Sequence, residues 1–438
     1  MRPAIVGAGP TGLYLAVALA RRGRKVTVVD RDPGPDGDAT WDRQGVMQFH
    51  HPHGFRQQVW EALLAEMPDV AEALLAAGAV PRTLPGQPDR VVGLGCRRVT
   101  FERVLRAAAQ AQPGIALCEG HCDEVVSERG RAVGLRVDGQ VVDADFVLDA
   151  SGRAGRLSRA FRRPAESGDC GISYVSRQYQ MLPGAQDGPT NSPIGMVAAY
   201  CGYLAIVFLH DNRTLSTLIA RASRDQDLAA LRLRSVFEAA AGAIPALAAW
   251  TDPARSRPIT EVLPGGRLQN TYNGQVDEGG RVALDGLIFA GDAVCTTNPS
   301  AGRGVATSLL QAQQLVGLLD EHGRDFTSCS LAFDSWCHEQ IKPWFHDHVD
   351  VDEQLTRRWA GGDIDLTRPL PSDLIVAATE AAPEMMNTVG PYLTMQALPD
   401  TLRAAEPRAR DIYATGWRPP EPDGPTRDEL VDVLTRTR

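Results

Sequence analysis

The strongest constraint on the fold is a glycine-rich loop between two short apolar runs at the start of the chain. Residues 4–6 lead into Gly-Ala-Gly-Pro-Thr-Gly at 7–12, an apolar-periodic segment follows over 13–22, and a second apolar run from Lys25 ends at Asp30. A strand, a G-x-G-x-x-G loop, a helix, a second strand and an acid about twenty residues further on are the fingerprint of a βαβ unit that binds a dinucleotide. The sequence therefore predicts such a unit.

Each part of this loop has a physical role in binding phosphate. Gly7 permits the tight turn, Gly9 lets the backbone approach a pyrophosphate, and Gly12 lets the helix and strand pack closely. The helix N-terminus directs its partial positive charge at the phosphates. Asp30 would accept hydrogen bonds from a ribose diol.

Charge and composition exclude several classes of function. The 438 residues carry a formal net charge of −9, which disfavours a nucleic-acid or anionic-membrane partner. No run approaches the roughly 20 apolar residues of a membrane span, and the first strand starts at residue 3, so we expect a cytoplasmic protein. The eight scattered cysteines lack zinc-type spacing, and we predict no metal. Lysine occurs only at Lys25 and Lys342, and this arginine-heavy composition suggests a bacterial source and a specialised metabolic pathway.

Periodicity and turn signals organise the rest of the chain. The patterns predict a helix over 54–77, a helix from about Thr100, short strands over 121–149 with turns at Arg129-Gly130 and Asp138-Gly139, a hairpin over 202–220, a helix near 225–241, a strand over 281–290, a helix over 304–319 and a small terminal helix capped by Thr426 and Glu429.

Two later motifs identify the dinucleotide through a resemblance. The apolar run 287–290 ends at Gly291-Asp292, and Asn298-Pro-Ser-Ala-Gly-Arg-Gly-Val305 follows. This pair resembles the second FAD signature of flavoprotein monooxygenases. The resemblance implies that Asp292 holds a ribityl hydroxyl and that the glycine-rich loop starts a helix whose amides face the flavin. An acid that accepts from a polyol and a helix N-terminus that stabilises reduced flavin fit this role.

Three further positions extend the resemblance. Asp149-Ala-Ser-Gly152-Arg resembles the Asp-Gly-type motif of the same superfamily, and Arg98-Val-Thr-Phe resembles a helix start of geranylgeranyl reductases and flavin halogenases. Arg43 stands where the superfamily often has an arginine after the second strand. The predicted FAD-binding residues are Gly7, Ala8, Gly9, Pro10, Thr11, Gly12, Asp30, Arg31, Arg43, Arg98, Asp149, Gly152, Gly291, Asp292, Pro299, Gly302, Arg303, Gly304 and Val305.

The resemblance implies a mixed α/β fold of the p-hydroxybenzoate-hydroxylase type. A Rossmann-type FAD-binding domain would hold an inserted β-sheet substrate domain, and C-terminal helices would follow. The expected boundaries are 1–153 and 281–325 for the FAD-binding domain, 154–280 for the substrate domain and 326–438 for the helical region.

The implied activity is that of an FAD-dependent monooxygenase. Such an enzyme hydroxylates or epoxidises a small organic substrate with O2 through a flavin C4a-(hydro)peroxide. The form of the segment after Asp149 favours a separate NAD(P)H-dependent flavin reductase as electron source. A C=C reductase of the geranylgeranyl type, a flavin oxidase and a flavin-binding sensor are the alternatives. Halogenation is disfavoured, because the resemblance would require a lysine between Lys25 and Lys342.

Histidines supply the candidate catalytic groups. His51 and His53 follow the Arg43 loop, where the superfamily topology runs near the flavin, and we predict an acid–base or flavin-contact role for them. His346 and His348 are two residues apart and point to different sides of a helix, so they do not predict a metal site.

Overall fold

A computed structural model describes residues 1–37, 41–43, 45–84, 86–153, 155, 157 and 159–437. Ala154, where the predicted substrate domain begins, lies outside them. The strands are β1 (Pro3–Val6), β2 (Val26–Asp30), β3 (Phe55–Arg56), β4 (Val80–Leu84), β5 (Gln87–Gly95), β6 (Ile115–Glu119), β7 (Cys122–Glu128), β8 (Arg131–Val137), β9 (Gln140–Asp143), β10 (Phe146–Asp149), β11 (Glu166–Asp169), β12 (Ile172–Met181), β13 (Gly195–Tyr200), β14 (Tyr203–Leu209), β15 (Thr214–Ala222), β16 (Ser256–Pro258), β17 (Leu263–Gly265), β18 (Gln269–Tyr272), β19 (Leu287–Phe289) and β20 (Cys295–Thr296). The helices are α1 (Pro10–Arg21), α2 (Gln57–Glu66), α3 (Pro68–Ala76), α4 (Arg98–Ala111), α5 (Arg234–Ala243), α6 (Pro245–Thr251), α7 (Gly304–His322), α8 (Phe326–Gln340), α9 (Lys342–Trp359), α10 (Ser372–Ala377), α11 (Met386–Leu393), α12 (Glu406–Ala414) and α13 (Arg427–Thr437).

A five-stranded parallel sheet carries the predicted dinucleotide-binding unit. Its strand order is β19-β10-β1-β2-β6, and every neighbouring pair is parallel. Helix α1 crosses from β1 to β2 and packs against α4 and α7, and its small and apolar residues are buried from Pro10 to Ala20. The carboxyl ends of these parallel strands meet at one edge, which is where α/β sheets bind ligands. The prediction of a mixed α/β, Rossmann-type fold is confirmed.

A three-stranded antiparallel sheet, β7-β8-β9, lies between β6 and β10 in the chain. Both of its turns occur where the sequence predicts them. Arg129 and Gly130 have φ of 51° and 78°, and Asp138 and Gly139 have φ of 47° and 79°. Two successive residues with positive φ are typical of the tight turns that suit the twist of a hairpin.

A six-stranded sheet forms the second large unit. Its path is β13-β14-β15-β12-β16, with β17 also paired to β12. Side chains alternate between its faces. One face, which includes Tyr203 and Ile219, packs in a core with Phe237 and Trp250 of helices α5 and α6. The opposite face is also apolar, and it turns toward the parallel sheet.

Helix α13 returns from the C-terminal region to this second unit. Leu430 and Leu434 are fully buried in the core on the helical face of the six-stranded sheet. Arg427 fixes the start of the helix by an ion pair with Asp225 at 2.8 Å. The predicted cap is present, since the main-chain N–H of Thr426 donates to the Glu429 carboxylate at 2.8 Å.

Three predicted elements differ from the structure. The helix predicted near 225–241 is a 3-10 helix over Asp227–Arg232, and the α-helix α5 begins only at Arg234. The helix predicted over 54–77 is two helices, α2 and α3, which separate at Met67. Met67 has φ of −150°, because Pro68 disfavours a helical conformation in the residue before it. The strand predicted over 281–290 is only Leu287–Phe289. None of the helices that the structure describes is both long and apolar enough to cross a membrane.

Candidate functional site

A cavity lies between the carboxyl edge of the parallel sheet and the apolar face of the six-stranded sheet. Its empty volume is about 1830 Å³, including its open mouth. Most residues that the sequence predicts as site residues line it. They are Gly7, Gly9, Pro10, Thr11, Asp30, Arg31, Arg43, His51, His53, Arg98, Gly152, Asp292, Pro299, Gly302, Gly304 and Val305.

Three glycines make the first loop a tight cradle. A Cβ on Gly12 would lie 1.8 Å from the Gly7 carbonyl oxygen, so this position admits no side chain. Gly7 has φ of 104°, and a Cβ there would lie 2.5 Å from the carbonyl oxygen of Ala150. A Cβ on Gly9 would meet only Arg43, at 3.8 Å. Gly7 and Gly12 therefore shape the turn, whereas Gly9 leaves open space for a ligand to approach the backbone.

Five predicted residues lie behind the cavity wall. The N–H of Ala8 donates to the Asp30 carboxylate at 2.6 Å. The fully buried Asp149 accepts hydrogen bonds from the N–H and hydroxyl of Ser151, at 3.0 and 2.5 Å. Gly12 packs on Gly7, and Gly291, with φ of 70°, lies against Thr11. These residues support the wall.

Arg303 is the fifth of these residues, and its side chain points away from the cavity. The guanidinium donates to Asp347 at 2.7 Å and to the Tyr392 hydroxyl at 2.6 Å, and it lies over the ring of Trp344. Side chains of α9 and α11 satisfy this buried cation, and a cofactor contact by Arg303 stays a prediction.

A buried ion-pair network stands behind the rim of the cavity. Arg43 donates to Asp30 at 2.7 Å and to Glu102 at 2.6 Å. The other oxygen of Glu102 accepts from Arg98, one turn earlier in α4. Glu102 is fully buried, so one carboxylate holds two arginines that both line the cavity. The sequence reasoning missed Glu102, although its spacing of four from Arg98 was a signal.

His51 and His53 are tightly held. His51 Nδ1 is 2.7 Å from the Ser176 hydroxyl. The Nδ1–H of His53 donates to the His51 carbonyl at 2.9 Å, and its Nε2 faces Arg98 at 3.4 Å. Burial lowers the pKa of His51 to about 4 and holds the pKa of His53 well below its usual value. Burial therefore favours the neutral form of both rings, and the acid–base or flavin-contact role of His51 and His53 stays a prediction.

Asp292 faces the cavity at the end of β19, beside the start of α7. Burial raises the pKa of its carboxyl group, and the Ser308 hydroxyl donates to it at a long 3.4 Å. Gly304 and Val305 at the start of α7 also line the cavity. A carboxylate that has no ion-pair partner among the described residues and a helix N-terminus thus lie side by side, which suits a ligand with both hydroxyl groups and negative charge.

Arg56 connects the loop before α7 to the C-terminal helices. Its guanidinium donates to the carbonyl oxygens of Ala301 and Leu393, at 2.5 and 2.7 Å, and more weakly to that of Gly302. Burial lowers the pKa of this arginine to about 9. No sequence pattern indicates this role, because the contacts are to main-chain atoms distant in sequence.

The wall opposite the glycine loop is apolar. It consists of Tyr174 from β12, Phe208 from β14, Leu218 and Ala220 from β15, and Leu268. These side chains come from one face of the six-stranded sheet. The sequence predicts a sheet here, but it does not show which of the two alternating faces meets the cavity.

Two family models match parts of the chain. A model described as FAD dependent oxidoreductase matches residues 3–86, which contain the glycine loop and Arg43. A model described as tryptophan halogenase matches residues 93–168, which contain Arg98 and the Asp149 segment.

Curated relatives share limited identity with the chain. Protein Rv3254 of Mycobacterium tuberculosis is 26% identical over 352 residues, which are 71% of each chain. The NAD-dependent dihydropyrimidine dehydrogenase subunit PreT of Escherichia coli K12 is 35% identical over 81 residues, which are 18% of each chain.

Solved structures share the fold over most of the chain. PqsL, a probable FAD-dependent monooxygenase from Pseudomonas aeruginosa, has a TM-score of 0.60 at 16% identity and covers 82% of this chain and 98% of its own. A triple mutant of the flavin-dependent brominase Bmp2 has a TM-score of 0.64 at 15% identity, covering 94% and 99%. The oxygenase MHPCO has a TM-score of 0.56 at 13% identity, covering 84% and 94%.

Residues 3–86 of this chain thus match the FAD dependent oxidoreductase family, and the chain shares its fold with flavin-dependent oxygenases.

The cavity of this flavoenzyme fits the cofactor. Gly9 leaves backbone exposed where a pyrophosphate would approach, and a side chain on either neighbouring glycine of the motif would collide with main chain. Asp30 lies at the end of β2 for a ribose, and Asp292 is a half-buried carboxylate without a cation in hydrogen-bond contact among the described residues. The prediction of FAD as cofactor is confirmed.

Proposed function

We propose that this flavoenzyme is a monooxygenase that hydroxylates or epoxidises a small, largely apolar organic molecule. The observation that supports the proposal is the shape of the cavity, which runs from the glycine loop to an apolar wall on the second sheet. A hydride-transferring or oxygen-inserting flavoenzyme needs its substrate beside the flavin ring in a site that excludes water. The wall formed by Phe208, Leu218 and Leu268 would provide that site.

In the proposed complex, the glycine loop and the N-terminus of α1 would hold the pyrophosphate of FAD, and Asp30 would hold its adenosine ribose. Asp292 would accept a ribityl hydroxyl, and the N-terminus of α7 would stabilise negative charge on the flavin ring. When bound and reduced, FAD supplies the activation of O2 from which one oxygen atom passes to the substrate.

In this proposal, the chain's own residues bind and orient the substrate and shield it from water. The apolar wall would position the substrate and keep water out, while the contact between Arg98 and His53 would hold another part of the cavity lining in place. Because both nitrogens of His53 are occupied and the ring is neutral, we propose a positioning role for it. His51 is neutral and bonded to Ser176, and a role as proton acceptor remains a prediction for this residue.

Halogenation is not proposed, although halogenase relatives share the fold. In the flavin halogenases that the chain resembles, a lysine handles the oxidised halogen. Neither lysine of this chain lines the cavity: Lys25 precedes β2, and Lys342 lies at the start of α9, where it donates to Glu166 at 2.6 Å. We also propose, from the form of the segment after Asp149, that a separate NAD(P)H-dependent flavin reductase supplies the electrons.

The test has two stages. The FAD-loaded protein is first mixed anaerobically with NADH or NADPH, with and without a flavin reductase, while oxidised-flavin absorbance is followed. The reduced protein is then exposed to ¹⁸O2 with a panel of small aromatic and alkene compounds. We expect reduction only with the reductase and one ¹⁸O atom per product. Hydrogen peroxide in place of any labelled product would refute the proposal, and rapid direct bleaching by NAD(P)H would refute only the reductase partner.

A matched pair of variants tests whether product formation takes place in the cavity. Leu218→Trp would fill the space beside the apolar wall and abolish product formation without loss of FAD. Val141→Trp changes a half-exposed residue on β9, outside the cavity, and should leave turnover unchanged.

A further inference from the structure

A second cavity, rich in arginine, lies beside the first. Its empty volume is about 1390 Å³, including its opening, and it shares Gly152, Arg153, Gln269 and Asp292 with the first cavity. We call it the arginine cavity, after the four residues Arg153, Arg162, Arg163 and Arg267 that line it.

Positive charge exceeds negative charge in this cavity. Arg153, Arg163 and Arg267 form no ion pair within 4 Å with any residue that the structure describes. The acidic residues of the lining are Asp149 and Asp292, and Asp149 is already bonded to Ser151. In a chain with a net charge of −9, a concave surface with surplus arginine favours an anionic ligand.

One of the arginines is fixed in advance. Arg162 donates to the carbonyl oxygen of Ala293, next to Asp292, and its guanidinium carbon lies 4.2 Å from the centre of the Phe289 ring. A guanidinium that is ordered before binding loses less conformational entropy when a ligand arrives.

The backbone at Arg267 gives an independent indication of function. Arg267 has φ of 54°, a left-handed conformation that glycine adopts without strain. The other described non-glycine residues with positive φ lie in hairpin turns or, for Met395, just after α11. Arg267 instead lies on the segment that joins β17 to β18, in two different sheets. Strained residues of this kind cluster at ligand sites, where the side chain is needed.

We propose that the arginine cavity binds the phosphate or carboxylate group of a second ligand, whose remaining part reaches the first cavity through the shared residues. Arginine forks bind both groups through paired N–H···O bonds. Such a ligand has two sources: a nicotinamide dinucleotide that brings its pyrophosphate, or a substrate that carries an acidic group. The inference concerns binding and holds whether or not oxygen transfer is observed.

Titration of the FAD-loaded protein with inorganic pyrophosphate tests the site. We expect one binding site, weakened at least tenfold by Arg163→Gln and by Arg267→Gly. The glycine variant removes the guanidinium at a position where glycine relieves strain, so its melting temperature should be unchanged or higher. Arg281→Gln, at a side chain that is 82% exposed outside the cavity, is the control and should bind pyrophosphate as the wild type does.

Competition then separates the two sources. Displacement of pyrophosphate by NADH or NADPH would assign the site to a dinucleotide, and binding of pyrophosphate without such competition would assign it to an acidic substrate. Equal pyrophosphate affinity in the wild type and in the Arg163→Gln, Arg267→Gly double variant would overturn the inference. Loss of FAD from these variants would also overturn it, because the arginines would then serve the cofactor.

Discussion

Replacement of Glu102 by glutamine tests whether one buried carboxylate holds both arginines at the rim of the FAD site. Glu102 is fully buried, and its oxygens accept separate bonds from Arg43 and Arg98, whose side chains are 5% and 15% exposed. Glu102→Gln preserves the volume of the side chain but removes the charge that the two guanidiniums share.

The contacts of Glu102 indicate how much stability the Glu102→Gln variant should lose. Removal of one partner from a buried ion pair costs about 3 to 5 kcal/mol. Arg43 keeps Asp30 at 2.7 Å, whereas Arg98 keeps no carboxylate in hydrogen-bond contact among the described residues. We therefore expect a loss near the lower end, about 3 kcal/mol in the free energy of unfolding of the apoprotein. Because Arg98 lines the cavity, FAD affinity should also fall about tenfold, which is about 1.4 kcal/mol.

Urea unfolding of the apoprotein, followed by tryptophan fluorescence, measures the first effect, and FAD titration measures the second. Glu61→Gln is the control, since Glu61 is exposed and, among the described residues, accepts a side-chain hydrogen bond only from Gln57 on the same helix. Its effect should stay within about 0.5 kcal/mol. Stability within about 1 kcal/mol of the wild type and unchanged FAD affinity for Glu102→Gln would refute the reasoning about buried pairs.

Three further predictions concern the cofactor loop, the pH dependence of stability and the half-buried acid Asp292. Gly9→Ala should leave apoprotein stability unchanged and abolish tight FAD binding. Gly12→Ala should reduce both apoprotein stability and FAD binding, because its Cβ would meet main chain at 1.8 Å. The free energy of unfolding should fall as the pH drops from 6.5 toward 4, since His51 resists protonation only in the folded state, and His51→Gln should remove about 3 kcal/mol of that fall. Asp292→Asn should raise apoprotein stability at neutral pH, because burial raises the pKa of the carboxyl group, and should weaken FAD binding.

Each of these predictions has a contrary result. Equal FAD affinity in the Gly9→Ala variant and the wild type would show that the pyrophosphate does not approach this backbone. An unchanged pH slope in His51→Gln, with His50→Gln as control, would show that His51 titrates normally. A stabilisation by Asp292→Asn that persists below the raised pKa of the acid would mean that desolvation is not its cause, because the gain should vanish once the acid is protonated.

Contiguous motifs were predictable from the sequence because their function is a property of local backbone. The glycine loop at 7–12 and the turn at Gly291-Asp292 depend on φ values and close approaches that few residues except glycine permit. Such constraints are visible in one sequence, and so the parallel sheet and its cofactor edge were predictable with them.

The remainder of the site depends on contacts between distant segments. Phe208 and Leu218 form the apolar wall, but the opposite face of the same strands is just as apolar, so alternation alone does not select the wall. Arg303 lies inside a flavin motif, yet its side chain turns to Asp347 on α9. Position in a motif locates the backbone, whereas the direction of a long side chain depends on which partner the fold brings near.

The return of α13 to the six-stranded sheet has a consequence for biosynthesis. The core that contains Phe237 and Trp250 lacks Leu430 and Leu434 until the ribosome has passed residue 434. The parallel sheet is also incomplete at first, since β19 is synthesised long after β10 and β1 of the same sheet. Large proteins usually fold domain by domain as they are synthesised. Here the parallel sheet is completed by β19 and the six-stranded unit only later by α13, so newly made chains expose apolar sheet surface late in translation and should depend on chaperones at that stage.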